Sequence, residues 1–285
     1  MKLLKQVLGI DVAQKELVVT LGRMHNDLTI ELYAYSVFKN TEIGFLKLTE
    51  WVNKLTDKGI KVRYVMEATG VYHQKFAYYL EAKKEDLSIV LPNKISNYMR
   101  TLDIKTITDK TCSEGIARFG LERKLDNWVK PKEVYGVLKQ LTRERRQITD
   151  ERTIVKNQLH AEQTEAIPHL SSIQRLKRRI LFLNTLEKEI KNEIKIYIKE
   201  HKDLIADIDN ICTIPGVSIL TAATVIGETN GFELIRSKKQ LTSYAGLDVK
   251  EKLSGTSVKG KPTISKKGNR YLRSCLHLPA LSTIK

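Results

Sequence analysis

Residues 7–12 (VLGIDV) decide how the first third of the chain folds. The short apolar run is typical of a buried β-strand, and Asp11 stands at the end of that strand. Residues 61–67 (KVRYVME) have the same form and also end in a carboxylate, that of Glu67. Desolvating a carboxylate at the end of an apolar strand is unfavourable unless a cation or another partner compensates its charge. The two acids are therefore candidates for one functional site.

The rest of the first third is predicted as further strands and helices. Strands are indicated by β-branched and apolar runs between polar turns, and helices by the spacing of their apolar residues. The predicted strands are residues 16–22, 28–38 and 87–91, and the predicted helices are residues 41–55 and 71–82. Three strands followed by alternating helix and strand predict a mixed α/β sheet.

Residues 129–204 are predicted to form a helical spacer in which two helices meet at Pro168. Apolar residues of the second helix, from Ile173 to Tyr197, follow a heptad pattern typical of a coiled coil. In the first helix, Arg145 and Arg152 interrupt the apolar stripe. An antiparallel hairpin within the chain and a coiled coil with a second subunit explain this pattern equally well.

Most of the net positive charge lies in the last 50 residues of the chain. Between residues 236 and 285, twelve Lys and Arg residues face only two acids, out of a net charge of +16 for the whole chain. Such an excess indicates a polyanionic partner, most commonly nucleic acid. Residues 211–223 (ICTIPGVSILTAA) also predict a helix-hairpin-helix, whose Pro-Gly turn presents backbone N–H groups to a phosphate. The predicted nucleic-acid contacts are Gly216, Lys259, Lys261, Lys266, Lys267, Arg270 and Arg273.

Together these motifs resemble a known family. The Gly-Ile-Asp strand, the strand ending in Glu67 and the helix carrying Thr108-Asp109-Lys110 resemble, in this order, the RuvC-type fold of the ribonuclease H-like nucleases. With the stretch 241–273, which contains Ser254-Gly255, they resemble the DEDD transposases of the IS110 type, relatives of the Piv invertase. The resemblance covers essentially the whole chain. It implies a RuvC-like domain at 1–128, a helical coiled-coil spacer at 129–204 and a mainly helical transposase domain at 205–285.

The resemblance implies a transposase, a site-specific recombinase that moves an insertion sequence. By position in the family motif, Asp11, Glu67 and Asp109 would hold Mg²⁺. The fourth acid of the family would lie three residues after Asp109, on the same helical face, where this chain has Cys112. A thiol is a poor ligand for a hard, oxygen-seeking ion. Glu114 lies on another side of that helix, and nothing in the sequence requires the upstream Asp103 to take part.

In the family a serine becomes covalently linked to DNA. By motif position this serine is Ser254, and Ser265 is the alternative. A hydroxyl is a weak nucleophile, so it needs a base, a metal ion or cations to act. The cations available nearby are Lys266, Lys267, Arg270 and Arg273. The resemblance further implies a structured noncoding RNA that selects the DNA, and a dimer or tetramer assembled through the spacer.

Two other functions remain open from the residues alone. One is a RuvC-like nuclease that cleaves branched DNA with metal-activated water. The other is a nucleic-acid-binding remnant without catalysis, suggested by Cys112 and by an end at Lys285, where family members usually continue. Three separated cysteines without a C-x-x-C pair fit a reducing cytosol. Without a signal peptide or an apolar run of 18 residues, we expect a cytoplasmic, nucleoid-associated protein.

Overall fold

A computed structural model describes residues 2–68, 70–102, 104, 106–233, 235–251, 253–254 and 258–283, without the side chains of residues 253, 254, 258 and 259. The chain divides into two compact units, Met1–Lys130 and Pro131–Lys285. The predicted division at residues 128 and 204 remains a prediction. None of the helices in the described ranges combines the length and the apolar composition needed to cross a bilayer.

The first unit is built on a five-stranded mixed sheet. Its strands are β1 (Leu3–Val12), β2 (Glu16–His25), β3 (Ile30–Lys39), β4 (Val62–Glu67) and β5 (Asp86–Val90). Their order across the sheet is β3-β2-β1-β4-β5. β1, β2 and β3 form an antiparallel meander, and β4 and β5 run parallel to β1. This is the order and direction of strands in a ribonuclease H-like fold, so the predicted fold class is confirmed.

Helices cover both faces of this sheet because its central strands are apolar on both sides. The helices are α1 (Glu42–Leu55), α2 (Gln74–Ala82), α3 (Pro92–Met99) and α4 (Asp109–Glu122). Leu8 and Ile10 of β1 pack with Phe45 of α1 and Phe76 of α2 on one face. On the other face, a second cluster joins Val7 and Val65 of the strands to Ile116 and Phe119 of α4.

The second unit is mainly helical. Its helices are α5 (Glu133–Thr164), α6 (Leu170–Glu200), α7 (Lys202–Cys212), α8 (Ile219–Thr229), α9 (Lys238–Tyr244), α10 (Arg270–Cys275) and α11 (His277–Thr283). Two short antiparallel strand pairs lie between α9 and α10. They join β6 (Val249–Lys250) to β9 (Thr263–Ile264), and β7 (Leu253–Ser254) to β8 (Val258–Lys259).

The long helices α5 and α6 form an antiparallel hairpin within the chain. Leu138 near the start of α5 packs in one cluster with Ile194 near the end of α6. The two arginines that interrupt the apolar stripe, Arg145 and Arg152, both form ion pairs with Glu187 of α6, which is only 5% exposed. The interruption is therefore a set of ion pairs around a buried carboxylate, and these pairs join the two helices of the hairpin. Association of these helices with a second subunit remains a prediction.

Candidate active site

Helix α4 lies directly against the face of β1 that carries Asp11. A Cβ atom on Gly9 would be 2.3 Å from the backbone oxygen of Ser113, so only glycine permits this close approach. Near the other end of the contact, a Cβ on Gly120 would be 2.8 Å from the Val7 side chain. The helix thus runs antiparallel to β1. Its N-terminal turn lies at the end of the strand where Asp11 is found.

The pairing of β1 with β4 explains how a second carboxylate joins Asp11. Ile10 pairs with Met66 in parallel register, so Asp11 and Glu67 are the next residues along two neighbouring strands. Side chains of residues at the same step of adjacent strands emerge on the same face of a sheet. Asp109 is the first residue of α4. Asp11, Glu67 and Asp109 therefore lie near one another, and we call this place the acidic edge.

The electrostatics of the acidic edge reflect this arrangement. Burial and the nearby charge of Asp109 raise the pKa of Asp11 above its ordinary value. Burial also raises the pKa of the Cys112 thiol, and the charges of Asp11, Glu67 and Asp109 raise it further. Cys112 thus shares one environment with all three carboxylates, and the accumulated negative charge there favours binding of a cation.

The acidic edge fits a hard divalent ion by the chemistry of its donors, since carboxylate oxygens are what such an ion prefers. No group of three or more His, Cys, Asp or Glu side chains in the described ranges is arranged as a ready metal centre. The carboxylates affect one another's pKa without forming a ready metal centre, because electrostatic interactions act over a longer distance than metal–oxygen bonds span. Glu114 forms an ion pair with Lys110 at 3.9 Å, and Asp103 lies outside the described residues.

In the second unit, the described residues between α9 and α10, namely 247–251, 253–254 and 258–267, form a non-helical segment that we call the arm. Its two ends are held together, since the backbone N–H of Asn269 donates to the Tyr244 carbonyl at 2.7 Å. A Cβ on Gly268 would be 2.5 Å from the same carbonyl. The backbone of Ser254 lies farther along the arm, in β7, where it pairs with Val258. The Ser254 side chain lies outside the described residues, as does Gly255.

A buried carboxylate connects the base of the arm to the helices. Glu228 of α8 is 1% exposed and accepts two hydrogen bonds from the Arg143 guanidinium, at 2.6 and 2.8 Å. It accepts a third from the Asn269 side-chain amide at 2.6 Å. The Tyr244 hydroxyl donates to the Glu228 backbone carbonyl at 3.1 Å. We call these four residues the Glu228 clamp. Sequence reasoning missed it, although an acid in the apolar run of α8 is a usable signal.

The predicted cationic contacts differ in how freely they could meet a nucleic acid. Lys261, Lys266, Lys267 and Arg270 are exposed, and the Arg270 guanidinium lies over the Tyr271 ring at 5.0 Å. Arg273 is half-buried and donates to the Ala245 carbonyl at 2.8 Å. The Lys259 side chain lies outside the described residues. Arg273 therefore has a structural role at the base of the arm that its sequence position does not reveal.

The Pro-Gly turn between α7 and α8 is contacted by the last helix. Gly216 has a φ of +81°, which favours glycine, and a Cβ there would lie 2.6 Å from the Ser282 Cβ of α11. The two helices of the predicted helix-hairpin-helix, α7 and α8, lie on either side of this turn, with Ser218 as the N-cap of α8. Binding of a phosphate at Gly216 remains a prediction, and α11 would border any such phosphate.

The fold and the acidic edge together define a protein of the ribonuclease H-like class. Residues 8–168 match the family of IS110-type DEDD transposases, and residues 208–285 match the family described as Transposase IS116/IS110/IS902. The first of these matches spans more than half of the chain. The chain therefore belongs to the IS110-type transposases, a family of DNA-recombining enzymes.

Similar proteins include the pilin gene-inverting proteins of two Moraxella species. That of M. lacunata is 29% identical over 291 residues, covering 97% of this chain and 82% of the relative. That of M. bovis is 30% identical over 258 residues, covering 86% and 74%. Among solved structures, T. thermophilus RuvC with a Holliday junction substrate aligns with a TM-score of 0.31 at 10% identity, covering 41% of this chain and 97% of that chain. A TM-score this low carries no argument, so the fold assignment rests on the order and direction of the strands.

Proposed function

We propose that this transposase moves the DNA of an insertion sequence by strand exchange through a serine nucleophile, Ser254, with Mg²⁺ at Asp11, Glu67 and Asp109. The observation that carries the proposal is the acidic edge, in which three carboxylates from distant parts of the sequence share one environment. The names of the Moraxella relatives say that they invert a pilin gene. This supports DNA as the substrate.

The acidic edge would bind the metal ion through Asp11, Glu67 and Asp109. When bound, the ion would neutralise charge that develops on the phosphate during attack. Cys112 would contribute no hard oxygen ligand, so the ion would be held by fewer protein oxygens than four carboxylates supply. Weaker binding of Mg²⁺ is the expected consequence.

Two features of the arm support Ser254 rather than Ser265 as the nucleophile. The Ser265 hydroxyl donates to the Asp248 carboxylate at 2.9 Å and accepts from the Lys267 backbone N–H at 3.2 Å. Its hydrogen bonds thus serve the base of the arm, whereas Ser254 lies beyond the β6–β9 pair. In the reaction, the serine oxygen would bond to phosphorus as it loses its proton. The bond from phosphorus to the leaving sugar oxygen would break, and that oxygen would take up a proton.

Exposed cations on the arm and just after it would bind the phosphates. Lys266, Lys267 and Arg270 are all exposed there, and charge-assisted hydrogen bonds from such groups stabilise a phosphate under attack. We also propose that a structured noncoding RNA selects the DNA. The basic cluster at residues 175–179 of α6 would offer a second surface for nucleic acid. Assembly through α5 and α6 into a dimer or tetramer completes the proposal.

A RuvC-like nuclease is the second candidate. The observation that favours it is the composition of the acidic edge, which lies wholly within the first unit and needs no serine to direct a water molecule. The two candidates differ in the joining step, since hydrolysis leaves ends that the enzyme cannot rejoin.

A strand-exchange assay separates the two functions. Wild-type protein, DNA with the ends of the element, its noncoding RNA and Mg²⁺ should yield joined product. Asp11→Asn and Ser254→Ala should each abolish both cleavage and joining, because the acid and the hydroxyl serve the same step. Ser265→Ala should keep joining. Cleavage that continues in Ser254→Ala would reject the serine mechanism and favour the nuclease.

A further inference from the structure

An exposed aromatic side chain lies on the sheet beside the acidic edge. Asp11 pairs with Val18 of β2, and Val18 pairs with Val37 of β3. In the next row, Thr20 of β2 pairs with Tyr35 of β3. Paired residues point to the same face of an antiparallel sheet. The Tyr35 ring is therefore on the face that carries Asp11, two strands away from β1.

Contacts with α4 confirm which face this is. The Thr20 hydroxyl lies 2.7 Å from that of Ser113 in α4. The Lys110 ammonium lies over the Tyr35 ring, 5.3 Å from its centroid. Lys110 directly follows Asp109, so the cation over the ring is adjacent in sequence to a carboxylate of the acidic edge. The Cα atoms of Tyr35 and Asp11 lie two strands apart across the sheet and two residues apart along it, which gives a distance of roughly 12 Å.

The environment of Tyr35 is not that of a core aromatic residue. Tyr35 is 45% exposed, and Val37 beside it is also exposed. β3 is one of the two edge strands of the sheet, so a strand of nucleic acid can approach this surface from the side where β3 pairs with no strand in the described ranges. Of the groups that could cover an exposed ring flanked by a cation, a nucleotide matches best, because its base stacks on the ring and its phosphate pairs with the cation.

We propose that Tyr35 and Lys110 form a nucleotide subsite next to the acidic edge. An unpaired base stacks on the exposed part of the Tyr35 ring. The Lys110 ammonium pairs with the adjoining phosphate, in exchange for its long, solvent-accessible ion pair with Glu114 at 3.9 Å. The subsite takes a base that has left the duplex, because stacked and paired bases offer no free face to the ring. The inference rests on the proposed function for its substrate, and it does not depend on which group attacks the phosphate.

The chain provides a matched control in Tyr78 of α2. Tyr78 is 41% exposed, and the Lys130 ammonium lies 5.0 Å from its ring centroid. Its neighbours on α2, Phe76 and Leu80, pack in the cluster on the opposite face of the sheet. Tyr78 thus matches Tyr35 in exposure and in its cation contact, although its ring also packs against Trp128 at 5.7 Å. It lies on a helix that covers the face of the sheet opposite to the acidic edge.

The test uses the full chain and short single-stranded DNA with 2-aminopurine at successive positions, in Ca²⁺ so that no cleavage is required. Tyr35→Ala should weaken binding roughly tenfold, as expected for loss of one stacked base, and should abolish quenching at one position. Tyr35→Phe should retain quenching and affinity, and Tyr78→Ala should behave as wild type. Lys110→Gln should lower the dependence of log K on log salt by about 0.7, the value for one phosphate on a single strand.

Equal affinities of Tyr35→Ala, Tyr78→Ala and wild type would overturn the proposal, as would a Tyr35→Phe variant as weak as Tyr35→Ala. A change in oligomeric state with unchanged DNA affinity would show that Tyr35 faces another protein chain, and would also overturn it. If Tyr35→Ala does not fold, the salt dependence of DNA binding in Lys110→Gln is compared with that in Tyr35→Phe. Equal salt dependence in these two variants would overturn the proposal. The quenching should persist in Ser254→Ala, because the subsite does not use the serine. If the serine mechanism is wrong, the quenching is therefore unchanged, and the two proposals can fail separately.

Discussion

Replacing Glu228 should both destabilise the second unit and release the arm. The carboxylate is 1% exposed and accepts three hydrogen bonds, two from Arg143 and one from Asn269. Removing one partner of a buried ion pair destabilises a protein by about 3–5 kcal/mol. The Arg143 side chain keeps 37% exposure, so water can partly solvate the charge that is left. We therefore expect Glu228→Ala near the lower limit, about 3 kcal/mol.

Glu228→Gln should have a smaller effect than Glu228→Ala, since the amide keeps the volume and one acceptor. We expect a loss of about 2 kcal/mol, a typical value for hydrogen bonds to a charged group. For a unit of this size, each kcal/mol lowers the melting temperature by about 2–4 °C. Circular dichroism during urea and thermal unfolding measures both quantities.

Release of the arm is measured by hydrogen exchange at the Lys266 amide, which donates to the Gly246 carbonyl at 3.0 Å. Glu228→Gln should accelerate this exchange because the clamp holds both ends of the arm. The matched control is Glu187→Gln. Glu187 is a second buried acid of the same unit, paired with Arg145 and Arg152 in the helical hairpin. The Glu187→Gln variant should lower the stability of the unit and leave the Lys266 amide protected from exchange. Equal exchange at Lys266 in both variants would refute the positioning role of Glu228.

Three further predictions follow from single contacts. Gly9→Ala should destabilise the first unit by about 1–3 kcal/mol, the usual effect of overpacking. Gly136→Ala should instead stabilise α5 by about 0.5–1 kcal/mol, because no atom lies within 4 Å of its added Cβ. Unfolding curves of the two variants measure both changes. Cys112→Asp should lower the Mg²⁺ concentration needed for half-maximal cleavage, and an unchanged or higher requirement would contradict the ligand position. Lys266→Gln should reduce the salt dependence of duplex binding by about 0.9 with no loss of stability, whereas Arg273→Gln should lower the melting temperature, because its guanidinium donates to Ala245.

The first unit could be predicted from the sequence because its pattern is local. The apolar run before Asp11 and that before Glu67 each mark a buried strand by themselves, and parallel neighbours bring their ends to one edge. Thr41 likewise marked the start of α1, and its hydroxyl accepts from the Gly44 N–H. The requirement for glycine at Gly9 was not predictable, because it depends on α4, whose first residue is a hundred positions away in the chain.

The second unit was less predictable because its stabilising pairs are distant in sequence. Glu228 and Arg143 are 85 residues apart, and nothing near either residue indicates the other. Arg152 and Glu187 are 35 residues apart, so the arginine looked like a break in an apolar stripe. The strand pairs of the arm consist of two residues per strand, too short for any period to show. The roles of Ser254, Asp11, Glu67 and Asp109 remain predictions.

The most direct test of the serine mechanism is to look for a protein–DNA ester. Protein, labelled DNA, the noncoding RNA and Mg²⁺ are mixed, denatured and separated by size. A serine ester keeps the phosphodiester bond energy for rejoining, so labelled DNA should migrate with the wild-type chain and be lost in Ser254→Ala, while DNA binding stays nearly intact. Adduct in Ser254→Ala but not in Ser265→Ala would move the nucleophile to Ser265. Cleaved DNA without any adduct in the wild type would contradict the account.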